Sequence, residues 1–133
     1  MSVPVFAASA WIAAMVLAPV FAFAAGSLPP QTSSQSGVTV KVTPRSLAGA
    51  EWEFEVVFDT HSQELKDDLL KIAVLVSDGG PASVPAGWLG DGPGGHHRKG
   101  VLRFKASASP ATLELRLQRP GEPAPRVFRW KLR

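Results

Sequence analysis

The sequence predicts an all-β protein built as a two-sheet antiparallel sandwich, and three observations support that class. First, apolar residues recur at every second position in short runs, which is the pattern of half-buried strands. Second, the breaks between these runs are rich in Gly, Pro, Asp and Ser, which favour tight turns. Third, helical spacing of leucines is confined to residues 63–71, with Ser62 as the candidate cap.

The individual runs set the expected number of strands. The clearest strand is Glu51–Phe58, where aromatic residues and valine alternate with three glutamates. The other predicted strands are 38–42, 72–76, 101–105, 113–117 and 128–132, with a further short one near Val84–Leu89. Together they predict an immunoglobulin-like sandwich of about six or seven strands. Trp52 and Trp130 lie on the apolar faces of their strands and are predicted to be core residues.

The N-terminal segment has the features of an export signal. Residues 1–25 contain no charged residue, residues 11–18 are apolar, and residues 22–24 form an A-x-A cleavage site. We therefore predict a signal peptide over residues 1–24 and a periplasmic or secreted protein. The alternative is an uncleaved anchor over residues 3–25, which is just long enough to span a bilayer and would attach the protein to the membrane.

The rest of the chain divides into a linker and one domain. Residues 25–37 are predicted to form a flexible linker, because they are rich in Ser, Gln, Pro and Gly and have little apolar surface to offset their ordering entropy. The folded domain then spans residues 38–133, a length that buries well over half of its unfolded surface. The chain has no cysteine, so thiolate catalysis, disulfide exchange and Cys-ligated metal sites are excluded.

The charge of the chain is mildly basic. Fourteen Lys and Arg against eleven Asp and Glu give a formal net charge of +3, and most of the excess lies in the C-terminal third. A basic surface of this kind suits an anionic membrane, a polyanion or DNA. The bases recur at alternate positions of predicted strands, as solvent-facing residues do, so nucleic-acid binding is not predicted.

Side chains that can carry chemistry concentrate in two polar segments, residues 59–62 and residues 94–98, which hold all three histidines. If the two segments meet, they offer three imidazole nitrogens and a carboxylate, a set that suits Zn²⁺ or Cu(II). The candidate ligands are His61, His96, His97 and Asp59, with Asp91 as the alternative carboxylate. Soft Cu⁺ sites are excluded, because neither methionine lies beyond the predicted signal peptide.

Whether the two segments meet depends on residues 84–89. If these residues form a strand, the chain returns and residues 94–98 share one end of the sandwich with residues 59–62. If residues 78–97 form one long loop, the two segments lie at opposite ends. Adjacent residues of an extended strand point to opposite faces, which opposes a shared ion at His96 and His97. The alternative in which the histidines stabilise loops therefore stays open.

Trp88 and Arg98 are the candidate contacts with a ligand or a partner protein. Trp88 lies in a Gly-rich segment, so it is either an exposed binding aromatic or a plug over the sandwich end. Catalysis is not predicted, because the chain has no G-x-S-x-G, H-E-x-x-H, Walker or dinucleotide-binding motif. Asp59, His61 and Ser62 are too close in the chain to adopt the convergent geometry of a catalytic triad.

Two segments carry a resemblance to known proteins. Residues 52–62 read W-E-F-E-V-V-F-D-T-H-S, and residues 94–104 read G-G-H-H-R-K-G-V-L-R-F. These runs resemble a group of small uncharacterised bacterial exported or lipid-anchored proteins with a W-E-F-x-V-x-x-D-T-H-S strand end and a G-G-H-H-R-x-G-V-L-x-F segment. The resemblance covers about residues 38–132. It implies a bacterial envelope location and a β-sandwich, and it brings no established activity.

The predicted function is that of an exported envelope β-sandwich, a non-catalytic binding or interaction module whose partner is another envelope protein. An exposed apolar patch around Trp88 and Leu89 is expected in that case. The first alternative is a Zn or Cu(II) binding module that uses the three histidines. The second is an enzyme of unknown class, which needs a deep pocket with convergent titratable groups.

Overall fold

The computed structural model describes residues 2–4 and 28–133, and in these ranges the chain forms nine strands and one short helix. The elements in chain order are β1 (Gln31–Gln35), β2 (Val38–Ser46), β3 (Glu51–Thr60), α1 (Leu69–Ile72), β4 (Ala73–Ser77), β5 (Ala82–Ser83), β6 (Gly87–Gly90), β7 (His97–Lys105), β8 (Thr112–Leu117) and β9 (Arg126–Lys131). The predicted signal peptide and anchor fall mostly on residues 5–27, which lie outside the described residues. Within the described ranges, no helix has both the length and the apolar character needed to cross a bilayer.

The strands form two antiparallel sheets. The five-stranded sheet has the order β1-β2-β3-β7-β6, and the four-stranded sheet has the order β5-β4-β8-β9. Neighbouring strands pair antiparallel throughout. The predicted all-β class with two antiparallel sheets is confirmed. The described residues hold more strands than the predicted six or seven, because β1 and the two-residue β5 were not foreseen; the predicted short strand near residues 84–89 corresponds to β6.

The core lies between the inner faces of the two sheets. The apolar residues that alternate in β3, β8 and β9 all point into it: Trp52, Phe54, Val56, Phe58, Leu113, Leu115, Leu117, Phe128 and Trp130. The ring of Phe54 packs edge-on against Phe104, with ring centroids 5.9 Å apart, and lies 5.7 Å from the Trp130 ring. Trp52 and Trp130 are therefore core residues, as predicted.

The helical segment is shorter than the leucine spacing predicted, because α1 has four residues. Its N-cap is Asp68, whose side chain accepts a hydrogen bond from the N–H of Leu70 at 3.1 Å, and not Ser62. The chain before it is held against residues 94–95 by backbone hydrogen bonds: the N–H of Leu65 donates to the carbonyl of Gly95 at 2.9 Å. Backbone groups bound in this way cannot also form helix hydrogen bonds.

Residues 31–35, predicted to lie in a flexible linker, instead form β1 and pair with residues 38–42 of β2. Ser36 and Gly37 between them have φ values of 52° and 75°, the two positive values that a tight two-residue hairpin turn requires. The strand is bound through its backbone, including hydrogen bonds from the Arg126 guanidinium to the carbonyls of Ser33 and Gln35. An edge strand bound through its backbone needs no apolar alternation, so the sequence pattern did not reveal it.

β6 forms an edge of the five-stranded sheet and approaches β7 closely through two glycines. Gly90 and Gly100 are direct partners, and a Cβ built on Gly90 would lie 2.3 Å from the Cα of Gly100. The Trp88 ring covers Gly100, where a built Cβ would lie 2.5 Å from Cζ2 of the indole. The missing side chains therefore let the two strands and the indole pack together.

We expect Gly100→Ala to lower the free energy of unfolding by about 1–3 kcal/mol, because the added methyl group must displace the Trp88 ring. Urea unfolding followed by tryptophan fluorescence measures the change. The matched control is Gly92→Ala, since a Cβ built on Gly92 has no heavy atom within 4 Å, and its effect should stay below about 0.5 kcal/mol. Equal stability of the two variants would contradict the close approach at Gly100.

Candidate functional site

The two histidine-bearing segments lie at the same end of the molecule. Asp59 and His97 are direct partners in the pairing of β3 with β7. One residue further along β3, the N–H of Thr60 donates to the carbonyl of His96 at 3.0 Å. We predicted that the segments meet if the chain forms a strand near residues 84–89, and β6 fulfils that condition.

Of the four predicted metal ligands, Asp59 and His97 are bonded to each other. Nδ1 of His97 is hydrogen-bonded to Oδ1 of Asp59, and both side chains are more than half exposed. In residues 2–4 and 28–133, no group of three or more His, Asp or Glu side chains is placed to hold a metal ion. His97 is the first residue of β7 and His96 directly precedes it, and successive side chains point to opposite faces where the chain is extended. The structure therefore gives no support to the predicted Zn or Cu(II) site at His61, His96, His97 and Asp59.

Polar groups around the histidines bind the protein backbone. The carboxylate of Asp91, the alternative metal ligand, accepts a hydrogen bond from the N–H of Lys99 at 2.9 Å. The hydroxyl of Thr60 donates to the carbonyl of Gly37 at 2.8 Å. These bonds satisfy loop backbone groups that would otherwise lack partners. They show that Asp91 and Thr60 serve the local architecture; the alternative in which the histidines themselves stabilise loops stays a prediction.

Arg98 lies inside this end of the molecule, and the prediction that it contacts a ligand or partner is corrected. The residue is 3% exposed. Its Nη1 donates to the carbonyl of Asp67 at 2.6 Å, and its Nη2 donates to the carbonyl of Asp91 at 3.2 Å. Its guanidinium carbon also lies 5.8 Å from the centroid of the Trp88 ring. Arg98 and Leu102 are four residues apart in β7, so their side chains point to the same, buried face of the strand.

Trp88 packs against the core as a partly buried residue. Its indole N–H donates to the carbonyl of Asp91 at 3.0 Å. The exposed apolar residues nearby are Leu89, which is 66% exposed, and Val84, which is 71% exposed. Of the exposed apolar patch expected around Trp88 and Leu89, Leu89 in β6 is exposed and Trp88 is turned toward the core, while Val84 lies in the segment between β5 and β6.

Four charged residues that sequence reasoning missed form a buried ion chain, which we define as Asp67, Arg119, Glu122 and Arg126. Each is 8% exposed or less. Arg119 Nε lies 2.6 Å from Asp67 Oδ2, and Arg119 Nη1 lies 3.4 Å from Glu122 Oε2. Arg126 Nη2 lies 2.6 Å from Glu122 Oε2. The ion chain joins the loop before α1 to the loop that connects β8 with β9.

Arg126 extends the buried ion chain to the first hairpin of the domain. Its guanidinium donates to the carbonyls of Ser33, Gln35 and Val38 at 3.0, 2.9 and 2.9 Å. Arg126 has the strand phase of the core residue Phe128, so alternation alone placed it inward. Its charge concealed that signal, because a charged residue in a strand is ordinarily assigned to the solvent face.

The surroundings of Glu122 lower its pKa below the usual 4.5. The largest cause is the hydrogen bond from Arg126, which stabilises the charged carboxylate, and Arg119 acts in the same direction. Burial opposes this effect, but the two guanidinium groups outweigh it. Glu122 is therefore a carboxylate at neutral pH and balances two buried cations.

A second candidate site is a cavity on the outer face of the four-stranded sheet. It has a volume of about 460 Å³ and opens over β4, β8 and β9. Its lining is mainly apolar and includes one carboxylate and three cations: Glu114, Arg116, Arg129 and Lys131. Sequence reasoning assigned these bases to the solvent face, and it could not place them around one cavity because strand pairing is not readable from a single strand.

We expect Glu122→Gln to lower the free energy of unfolding at pH 7 by about 3 kcal/mol, because it leaves two buried guanidinium groups short of a counter-charge. A carboxylate with a lowered folded-state pKa stabilises the protein above its unfolded pKa of 4.5, and this stabilisation is lost as the pH falls through the folded value. Wild-type protein should therefore lose more stability than Glu122→Gln between pH 7 and pH 3. Urea unfolding at both pH values measures this.

The control for Glu122 is Glu64→Gln, which breaks an exposed ion pair with Lys66 at 3.2 Å. Its effect at pH 7 should be below about 1 kcal/mol. A Glu122→Gln variant as stable as this control would contradict the role assigned to the buried ion chain.

Titration of Zn²⁺ and Cu²⁺ into the metal-free protein tests the histidine segments. We expect weak binding of the same strength in the wild type and in a variant with His61, His96 and His97 all changed to Ala, because the described side chains form no three-ligand group. Calorimetry measures both. Tight stoichiometric binding that disappears in the triple variant would instead establish a metal site.

No protein-family model matches this chain, and no curated protein or solved structure matches it. The resemblance to small bacterial exported β-sandwich proteins therefore remains a prediction that rests on residues 52–62 and 94–104.

Proposed function

We propose that this chain is an exported bacterial envelope protein whose immunoglobulin-like sandwich is a non-catalytic module that binds another envelope protein. Export is supported by the uncharged apolar N-terminal segment and by the A-x-A site at residues 22–24. In this proposal residues 1–24 are removed and residues 25–133 remain. Two antiparallel sheets in a domain of about 100 residues support the immunoglobulin-like assignment.

The observation that carries the proposal is the uncharged edge strand β6, which α1 contacts and whose Leu89 remains exposed. β6 pairs with β7 on one side and is the last strand of its sheet. Residues 79–90 contain no charged side chain, and Val84 and Leu89 are the most exposed large apolar residues in the range 28–133. Natural proteins usually protect a sheet edge with charged residues. An apolar edge without them suits an extended partner segment that adds to the sheet as a further strand.

The other edges of the two sheets are less suited to an added strand. β1 is the opposite edge of the five-stranded sheet and is polar. The side chain of Gln31 in β1 accepts a hydrogen bond from the N–H of Arg129 in β9 at 2.9 Å, so these two edges bind each other. β5 has two residues, too few for a stable additional pairing. The preference for β6 therefore follows from its exposure and its composition.

Two considerations support a non-catalytic role. The sequence contains none of the catalytic motifs sought above. The hydrogen-bonded Asp59 and His97 side chains are more than half exposed to solvent and do not line the cavity over β4, β8 and β9, whereas groups that carry acid–base or nucleophilic chemistry usually lie in a pocket. Asp91 and Thr60 beside them are engaged by backbone groups.

Photo-crosslinking in expressing cells tests the β6 edge. With a photoreactive phenylalanine analogue at position 89, we expect one specific adduct with a protein of the envelope fraction. The matched control carries the analogue at position 127, since Val127 is a partly exposed residue of the four-stranded sheet, and should give no adduct. Adding Val84→Lys to the position 89 protein should reduce the adduct about tenfold or more, because a lysine charge would be desolvated in the interface.

The outcomes of this experiment are distinct. Equal adducts at positions 89 and 127, or an adduct that is insensitive to Val84→Lys, would contradict binding at the β6 edge. An adduct between two copies of the chain would show that the β6 edge binds a second copy and not another envelope protein. Recovery of the adduct from the cytoplasm would overturn export.

A further inference from the structure

We propose that the cavity on the outer face of the four-stranded sheet binds a small molecule that carries a phosphate monoester on an apolar body. This site is separate from the β6 edge, which belongs to the other sheet. Its volume of about 460 Å³ lies within the range of small-molecule sites, roughly 300–1,000 Å³. The face is built from β4, β8 and β9, whose regular pairing gives the lining residues fixed positions.

The charge of the cavity lining favours a dianion. Arg116, Arg129 and Lys131 bring three positive charges, and Glu114 brings one negative charge. Two positive charges are therefore left uncompensated within the lining. A phosphate monoester carries roughly −1.5 to −2 near pH 7, which matches this surplus, whereas a carboxylate supplies a single negative charge. Guanidinium groups also suit phosphate, because their N–H groups bind its oxygens in pairs.

Glu114 positions the two guanidinium groups of the cavity. It is the direct strand partner of Arg129, its Oε1 accepts from Arg129 Nε, and its Oε2 accepts from Arg116. These interactions lower the pKa of Glu114, the hydrogen bond from Arg129 being the largest cause, so the carboxylate stays charged at neutral pH. Both of its oxygens are engaged by arginine, which leaves the Nη groups of Arg129 and Nη1 of Arg116 available to an anion.

Lys131 supplies the third positive charge. Among the described residues, no carboxylate oxygen lies within 4.0 Å of its ammonium group. The carboxylate of Asp78 at the end of β4 is engaged elsewhere, because its Oδ1 accepts from the N–H groups of Ala111 and Thr112 at 2.8 and 3.0 Å. Lys131 is therefore free to bind an incoming anion.

An apolar surface borders the charged groups. The accessible lining of the cavity is mainly apolar. Val76 of β4, the strand partner of Glu114, belongs to this lining but is itself only 4% exposed. At the end of β4 the chain turns through Gly79, where no heavy atom lies within 4 Å of a built Cβ, so this side of the cavity is open. The apolar body of the ligand would lie over the apolar part of the cavity lining while its phosphate group binds Arg116, Arg129 and Lys131.

Titration of the full-length protein with phenyl phosphate, followed by calorimetry and by amide chemical shifts, tests the proposal. We expect saturable binding with shifts at Val76, Glu114 and Arg129. Arg116→Gln combined with Arg129→Gln should raise the dissociation constant about tenfold or more, since the double variant loses charge-assisted hydrogen bonds to the phosphate. The control, Lys41→Gln combined with Lys105→Gln, removes the same charge from exposed positions of the five-stranded sheet. It should change the dissociation constant less than about twofold.

A single Lys131→Gln variant keeps the test valid if the double arginine variant does not fold, and it should weaken binding about threefold to tenfold. Inorganic phosphate should bind more weakly than phenyl phosphate, because it leaves the apolar part of the cavity lining in contact with water. Equal affinity for the two probes would contradict the proposal that the ligand carries an apolar body.

Three other outcomes would overturn the proposal. The first is an absence of saturable shifts at the cavity. The second is an equal loss of affinity in the two double variants, which would indicate general electrostatic attraction. The third is binding to phosphatidylglycerol vesicles without binding to phenyl phosphate, which would assign the face to an anionic membrane surface.

Discussion

The burial of Arg126 is the constraint on which much of this structure depends. A buried guanidinium group must be paired and hydrogen-bonded, and Arg126 meets this need with Glu122 and with the carbonyls of Ser33, Gln35 and Val38. One side chain thereby joins the β1–β2 hairpin to β9. Glu122 is only four residues from Arg126, but the three carbonyls come from the opposite end of the domain in sequence, so Arg126 gains these partners only when the β1–β2 hairpin packs against β9.

The same ion chain reaches the histidine end through Asp67. Its carboxylate pairs with Arg119, while its backbone carbonyl accepts a hydrogen bond from Arg98. Arg98 in turn lies against Trp88, so the arrangement of the loops and the packing of β6 are connected. The polar residues that drew attention in the sequence thus belong mainly to the architecture of this end. The surfaces left for binding are the β6 edge and the outer face of the four-stranded sheet.

The outer faces of the two sheets differ in charge. On the five-stranded sheet, Glu51 pairs with Arg103, and Glu55 pairs with Arg45 and Lys99, so acids and bases balance locally. On the four-stranded sheet, Glu114 alone lies among three cations of the cavity lining. A modest net charge of +3 therefore hides a concentrated positive surface, and composition alone does not distinguish the two arrangements.

Local patterns in the sequence determined the apolar faces of the main strands, because alternation reports directly which side of a strand is buried. They also identified the two histidine segments and the strand near residues 84–89 on which their meeting depended. Tertiary structure decided the rest. β1 forms because Arg126 and β2 supply partners for its backbone, and Arg98 and Arg126 are buried because backbone carbonyls from distant parts of the chain surround them. Such partners are separated along the chain, so only the folded arrangement brings them within hydrogen-bonding distance.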